Sequence, residues 1–170
     1  SDYVKEDKAT QMFFAETQNK LLYAITHQTA AELIVTRADS NKPNMGLTTW
    51  KGSIVRKGDV ITAKNYLLKD EIDDLNRLVD IFLTSAEMRV KERRDLTLDY
   101  WRNNVDALLT FQGKDILQGK GEVSNASMES IAHKVYDEFN AKRKQLEAKQ
   151  ADADDLKMLE DIENQIKGKS

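Results

Sequence analysis

Apolar side chains recur at spacings of three and four residues along most of this chain, the period of one face of an α-helix. Met12, Phe13, Leu21, Ala24 and Ile25 carry that spacing through a stretch without glycine or proline and predict a helix over residues 8–27. Thr29 and Glu32 stand at capping-box distance and open a second helix over 30–38; in that motif each side chain accepts the other residue's free backbone N–H. The most regular stripe, Ile72, Leu75, Leu78, Val79, Phe82, Ala86 and Val90, predicts a helix over 70–94. Its first turn is acidic (Asp70, Glu71, Asp73, Asp74) and its last is basic (Arg89, Lys91, Arg93, Arg94), so both ends oppose the helix dipole. Thr97 caps a further helix to residue 111, expected to bury Tyr100, Trp101, Val105, Leu108 and Leu109. After a loop at 113–121, anchored by Ile116 and Leu117, Ser124 or Ser127 opens a long helix with Met128, Ile131, Ala132, Val135, Tyr136 and Phe139 on one face.

The period fails in one place. Residues 38–58 hold the only proline, Pro43, and three of the seven glycines, Gly46, Gly52 and Gly58, which marks an irregular segment. Within it, 47–50 and 53–56 are compatible with a short two-stranded ribbon, and Asp59 suits the N-cap of a helix over 60–67. After Phe139 the pattern thins. Residues 141–170 carry seven bases, seven acids, no aromatic and a sparse stripe of Leu146, Leu156, Leu159, Ile162 and Ile166. Such a stripe suits a helix packing on one partner surface, a second copy of the chain being one occupant; the alternative is a tail folded back on its own domain. The fold class expected is mainly α. It has about five to seven helices in a domain over 1–139, one irregular loop or short β-ribbon near 38–58, and a charged helical extension over 140–170.

Composition narrows the chemistry. A chain of 170 residues is one ordinary domain with an appendage. Its 26 bases against 29 acids leave a net charge of −3, so attraction to nucleic acid or anionic lipid requires a local patch. With 40% hydrophobic residues it can bury a core. The absence of cysteine excludes disulfides, thiolate zinc sites and a cysteine nucleophile. No apolar run approaches the roughly 20 residues of a bilayer helix, and residues 1–8 show no signal peptide. No membrane contact is expected, and a reducing compartment is compatible with the lack of cysteine. The start at Ser1 is compatible with a missing leader or upstream domain. His27 and His133 each lack a second histidine three or four residues away, so no chelating pair shares a helix face. His27 suits a helix end and His133 a surface. Asp73 with Asp74 and Asp154 with Asp155 are adjacent, so on a helix each pair diverges by about 100°. Glycine-rich nucleotide cradles and the nucleophile elbow have no match in the sequence. No catalytic residue, metal ligand or cofactor is expected.

The candidate site is the irregular segment itself. From Ser40 to Asn65 there are five bases (Lys42, Lys51, Arg56, Lys57, Lys64) against one acid, Asp59, a local balance of 5 − 1 = +4. Together with Arg37, Asp39, Asn44, Trp50 and Asn65 these bases make the candidate ligand-binding set. Cationic side chains beside glycine-exposed amides and an indole are the chemistry of a phosphate or nucleic-acid site. The plainer reading has Asp39 in a turn, Asn44 and Gly46 supplying positive φ, Trp50 in the core and the bases solvated.

These words resemble a known family, the RhuM virulence proteins of bacteria. The resemblance rests on Phe13 to Lys20, Thr29 to Glu32 leading to Arg37-Ala-Asp39, Lys42-Pro-Asn-Met-Gly-Leu-Thr-Thr-Trp-Lys-Gly52, Ala63 to Leu67 and Leu75 to Val79. It continues through Asp99-Tyr-Trp101 and Val123-Ser124 to about Phe139. It implies a bacterial, often mobile-element or pathogenicity-island setting, with the bacterial cytoplasm as the expected compartment, and an upstream segment, absent here, like a phage-type DNA-binding or antirepressor module. Relatives are sometimes labelled Fic or death-on-curing proteins, whose transfer chemistry needs an H-P-F-x-x-G-N-type loop. Here His27 lies in Thr-His-Gln and His133 in Ala-His-Lys, so no catalytic residue carries over.

The function expected is therefore a non-catalytic effector or regulatory domain of a DNA-associated bacterial protein, binding phosphate-bearing ligand, nucleic acid or protein through residues 37–64. The alternatives are a toxin-like, Fic-related enzyme acting on nucleotides, with Arg37, Asp39, Lys42 and Lys64 as its polar centre, and a structural module that oligomerises through its C-terminal helices.

Overall fold

Five α-helices account for most of the computed structural model, which describes residues 2–92 and 96–168, with side chains from residue 8 onward. They are α1 (Asp2–Thr26), α2 (Ala30–Arg37), α3 (Lys69–Lys91), α4 (Leu98–Phe111) and α5 (Asn125–Gly168). The described residues contain no strand. The basic residues Arg93 and Arg94 expected at the end of α3 lie outside them.

The helix boundaries follow the capping chemistry. α1 stops at His27, whose φ of 58° leaves the helix while its N–H still donates to the Tyr23 carbonyl (2.8 Å). Thr29 then accepts from Glu32 N (3.3 Å) and Glu32 Oε1 accepts from Thr29 N (2.8 Å), the expected reciprocal cap. The backbone N–H of Thr29 is the main cause of a Glu32 carboxyl held below its ordinary value. Gly121, at φ +83°, lies directly over this cap, and a Cβ there would stand 2.6 Å from Thr29 Cγ2. Thr97 accepts from Tyr100 N (3.1 Å) to open α4. Ser124, rather than Ser127, caps α5, accepting from Ser127 N (3.1 Å).

Two hydrophobic cores share α1 as a wall. Leu21 and Ala24 face Leu78 of α3 and Val105 and Leu109 of α4. Leu22 faces the other way, into a larger core built from α2, the segment between α2 and α3, and Met128 and Ala132 of α5. The α3 stripe fades along its length: Leu78 is buried, Ile72, Leu75, Val79 and Phe82 pack partly, and Val90, expected in the core, is exposed. Val90 stands in the last turn, past the reach of both cores.

Where a ribbon and a helix over 60–67 were expected, the chain forms three 3-10 turns: Pro43–Gly46, Asp59–Ile61 and Ala63–Tyr66. The 47–50 stretch does pair, but with Asn65 instead of 53–56. Thr48 N and Thr49 N donate to the Asn65 carbonyl (2.7 and 3.3 Å), and the Thr48 hydroxyl donates to the Leu67 carbonyl (2.6 Å). With the Thr48 and Thr49 amides spent there and Leu47 N on the Asn44 carbonyl (3.0 Å), three of the four amides are taken outside any ribbon. Asp59 also works upstream and not as a helix cap: its carboxylate accepts from Lys51 N (3.2 Å) and Arg56 N (2.8 Å).

α5 continues without a break through Phe139, where the extension was expected to begin, to Gly168. It does not fold back: residues 144–168 are all exposed. At ~1.5 Å per residue those 25 residues project about 37 Å. No helix among the described residues is long and apolar enough to cross a membrane.

Candidate phosphate-binding cleft

The irregular segment is held as firmly as a helix would be. Asn44, Met45 and Gly46 follow one another at φ 54°, 60° and 88°, a left-handed run in which each non-glycine residue costs roughly 1–2 kcal/mol. Complete burial of the Met45 side chain offsets that cost. Gly46 has no substitute, since a Cβ there would lie 2.5 Å from the Arg37 carbonyl oxygen. Tyr66 is buried with its hydroxyl donating to the Val60 carbonyl (2.7 Å), and burial pushes its phenol above the ordinary range.

Arg37 closes the far side. Its guanidinium forks onto Glu71 at 2.6 and 2.7 Å and donates to the Tyr66 carbonyl (2.9 Å), while Glu71 Oε1 also accepts from Leu68 N at the start of α3 (2.8 Å). Arg37 therefore ties the end of α2 to the beginning of α3. The fork holds the Glu71 carboxyl below its ordinary value and raises that of Arg37, outweighing partial burial in both cases. Asp39 is likewise engaged locally, accepting from Asn41 N (2.9 Å) in an Asx turn.

Five of the ten candidate residues meet in one place. Trp50, Lys51, Arg56, Lys64 and Asn65 line an open concavity of about 1060 Å3, with Asp59 among its other walls. Arg37, Asp39, Lys42, Asn44 and Lys57 do not line it. Trp50 is half-buried, with part of its ring against the larger core. Asn65 is a structural strut: its Nδ2 donates to the Asp59 carbonyl (2.9 Å) and its Oδ1 accepts from the Thr49 hydroxyl (3.1 Å). Both Asp59 oxygens are taken by amides. Lys51, Arg56 and Lys64 are exposed, and among the described residues none of them has an ion pair or a side-chain hydrogen bond. Three cations thus face a cleft whose single carboxylate is already satisfied, and an anion there would meet full charges with no internal competitor.

Sequence reasoning passed over two bases of α5 that hold the irregular segment from outside the cleft. Lys142 Nζ donates to Asn41 Oδ1 (2.5 Å) and Ser40 Oγ (3.4 Å). Arg143 donates to the Val55 carbonyl (2.9 Å) and to Asn140 Oδ1 (2.9 Å), with its guanidinium 5.2 Å from the Phe139 ring centroid. The contacts to Ser40, Asn41 and Val55 join residues 88 or more positions apart. The one hint in the sequence is that both bases fall just past the last aromatic of the α5 stripe. Neither histidine enters the cleft: His27 meets Asp115 at the surface (3.2 Å), and His133 lies half-buried on α5. No group of three or more His, Cys, Asp or Glu among the described residues could hold a metal ion.

A family model described as Virulence protein RhuM family matches residues 1–147. The chain belongs to the RhuM family of virulence proteins. The match takes in both cores, the cleft, and Lys142 and Arg143, and it ends four residues into the exposed part of α5. This RhuM chain is thus virulence-associated by family. No curated protein and no solved structure matches it.

Proposed function

We propose that this RhuM chain is a non-catalytic effector or regulatory domain of a DNA-associated bacterial virulence protein, and that its cleft binds a phosphate-bearing ligand. One observation carries the reading: Lys51, Arg56 and Lys64 converge on a concavity without ion pairs, while Asp59 is occupied by backbone amides. Two bases between α1 and α4 differ in this respect: Lys20 pairs with Asp106 (2.7 Å) and Arg102 with Glu16 (2.9 Å). The side chains bind and orient an anion; the cleft supplies no nucleophile with an adjacent base, so the reading is of binding without turnover. Thermal shift with inorganic pyrophosphate is the test, because a ligand that binds only the folded state raises its melting temperature. The shift should shrink with salt and vanish in a Lys51→Ala, Arg56→Ala, Lys64→Ala triple variant. An equal shift in that variant would remove the cleft as its cause.

A second reading, oligomerisation through α5, has its own support. Leu146, Leu156, Leu159, Ile162 and Ile166 are all exposed on a helix that touches nothing beyond Arg143. The chain cut after Glu147 keeps the Lys142 and Arg143 contacts, which a cut at Phe139 would destroy. A solution mass per chain that is unchanged by the cut would dismiss this reading.

A further inference from the structure

We infer that the cleft takes single-stranded nucleic acid, with one unpaired base on Trp50 and the neighbouring phosphates passing over Lys51, Arg56 and Lys64 toward Lys142 and Arg143, midway along α5. This rests on the phosphate-binding reading above and names the ligand class.

Three observations separate a strand from a small phosphate compound and from a duplex. The cations run past the cleft. Lys57 follows Arg56 on the exposed turn, Arg143 is bonded to the carbonyl of Val55 beside Arg56, and Lys142 is bonded to Asn41 beside Lys42. A single phosphate group needs one pole of charge, whereas a row of bases drawn from two parts of the chain suits a repeating backbone. Trp50 supplies a large aromatic surface at the wall, steadied by its contact with the core. An indole accepts any base by stacking, and only an unpaired base offers its face. All the residues lining the cleft lie within 49–65, which is loop and short 3-10 turns. No helix is presented there for a major groove, the usual route by which a domain reads duplex DNA.

The experiment is fluorescence anisotropy of the full chain with labelled mixed-sequence oligonucleotides, as single-stranded DNA, single-stranded RNA and duplex, alongside pyrophosphate as competitor. Either single strand should bind more tightly than the duplex and quench tryptophan emission. That quench should disappear in Trp50→Phe, which leaves Trp101 as the sole indole. Trp50→Ala should weaken strand binding by about 5- to 150-fold, the range for loss of one stacked base. Lys51→Ala with Lys64→Ala, both at exposed positions that leave the fold intact, should flatten the slope of log affinity against log salt by about 0.7 for each lost phosphate contact.

Pyrophosphate binding with no affinity for strands overturns this inference and leaves the phosphate reading standing. Failure of strands and pyrophosphate alike overturns both. Strand binding that is indifferent to both the Trp50 and the lysine substitutions, or a preference for duplex, removes the strand from the cleft.

Discussion

Residues 38–68 contain neither α-helix nor strand, yet Met45, Val60 and Leu67 among them are fully buried; residues 144–168 form unbroken α-helix, yet every one is exposed. Regular backbone and buried core are commonly treated as the same thing. Here they are separated within one chain. The irregular segment is fixed by side chains that satisfy the main chain, with Asp59, Thr48, Asn65 and Glu71 taking roles that a ladder would otherwise fill. The projecting helix is held by local terms only. Gln150 with Asp154 (3.0 Å) and Lys167 with Glu163 (3.0 Å) are four-apart pairs, worth roughly 0.2–0.5 kcal/mol each. The lesson is that the disordered-looking region is the anchored one.

Matched truncations give the largest contrast. Leu67→Ala removes a side chain with 0% exposure and should cost about 2–5 kcal/mol. Leu159→Ala, at 63% exposure, should stay within about 0.5 kcal/mol. Urea unfolding followed by the emission of Trp50 and Trp101 measures both, and similar losses would break the comparison.

Next is the Arg37–Glu71 fork. Glu71→Gln keeps the shape but loses the charge, and should cost about 1–3 kcal/mol at neutral pH. The Glu71 carboxyl sits below its ordinary value of 4.5 in the folded chain. Its contribution is therefore fully present above that value and lost as pH falls through the lower, folded-state one. Glu32, shifted the same way, adds to the acid limb. Stability of the parent should drop as the solution is acidified below about 4.5, and the Glu71→Gln variant should drop less steeply, as an unfolding series against pH would show.

A smaller effect is expected from Arg143→Ala. It leaves the Val55 carbonyl without its donor and should cost about 1 kcal/mol. Hydrogen exchange should quicken over residues 51–58 more than in α1. The smallest global effect belongs to Ala153→Pro. Helix should melt locally and far-UV ellipticity should fall, while the midpoint followed by tryptophan emission stays where it was. A shifted midpoint would mean that the exposed half of α5 supports the core after all.

What was readable in the sequence divides along the same line. All five helices announced themselves by spacing, and the Thr29–Glu32 and Thr97 caps were placed to the residue, because helix formation and capping are decided by neighbours three or four apart. Turn chemistry points to positive φ at Asn44 and Gly46 in the plainer reading of the segment, but not at Met45 between them, whose left-handed backbone goes with its burial. The expected ribbon does not form because the partner of Thr48 is Asn65, chosen by tertiary packing that no local pattern encodes. Asp59 serves Lys51 and Arg56 upstream and not a helix downstream, since a carboxylate can accept amides from either direction along the chain. The candidate list was half gathered into the cleft. Charge count could find Lys51, Arg56 and Lys64, but it could not tell them from Arg37, which the fold spends on Glu71. Lys142 and Arg143 were out of reach, since their partners lie about ninety residues away.

The exposed end of α5 has a thermodynamic signature of its own. Its 25 residues are already solvated in the native monomer, so their helix-to-coil transition uncovers almost no apolar area. Heat-capacity change on unfolding tracks uncovered apolar surface. The monomer's calorimetric increment should therefore match that of a chain about 25 residues shorter, even though those residues contribute fully to its circular dichroism. A melt recorded by ellipticity and one recorded by calorimetry would, in this protein, follow two different populations of residues.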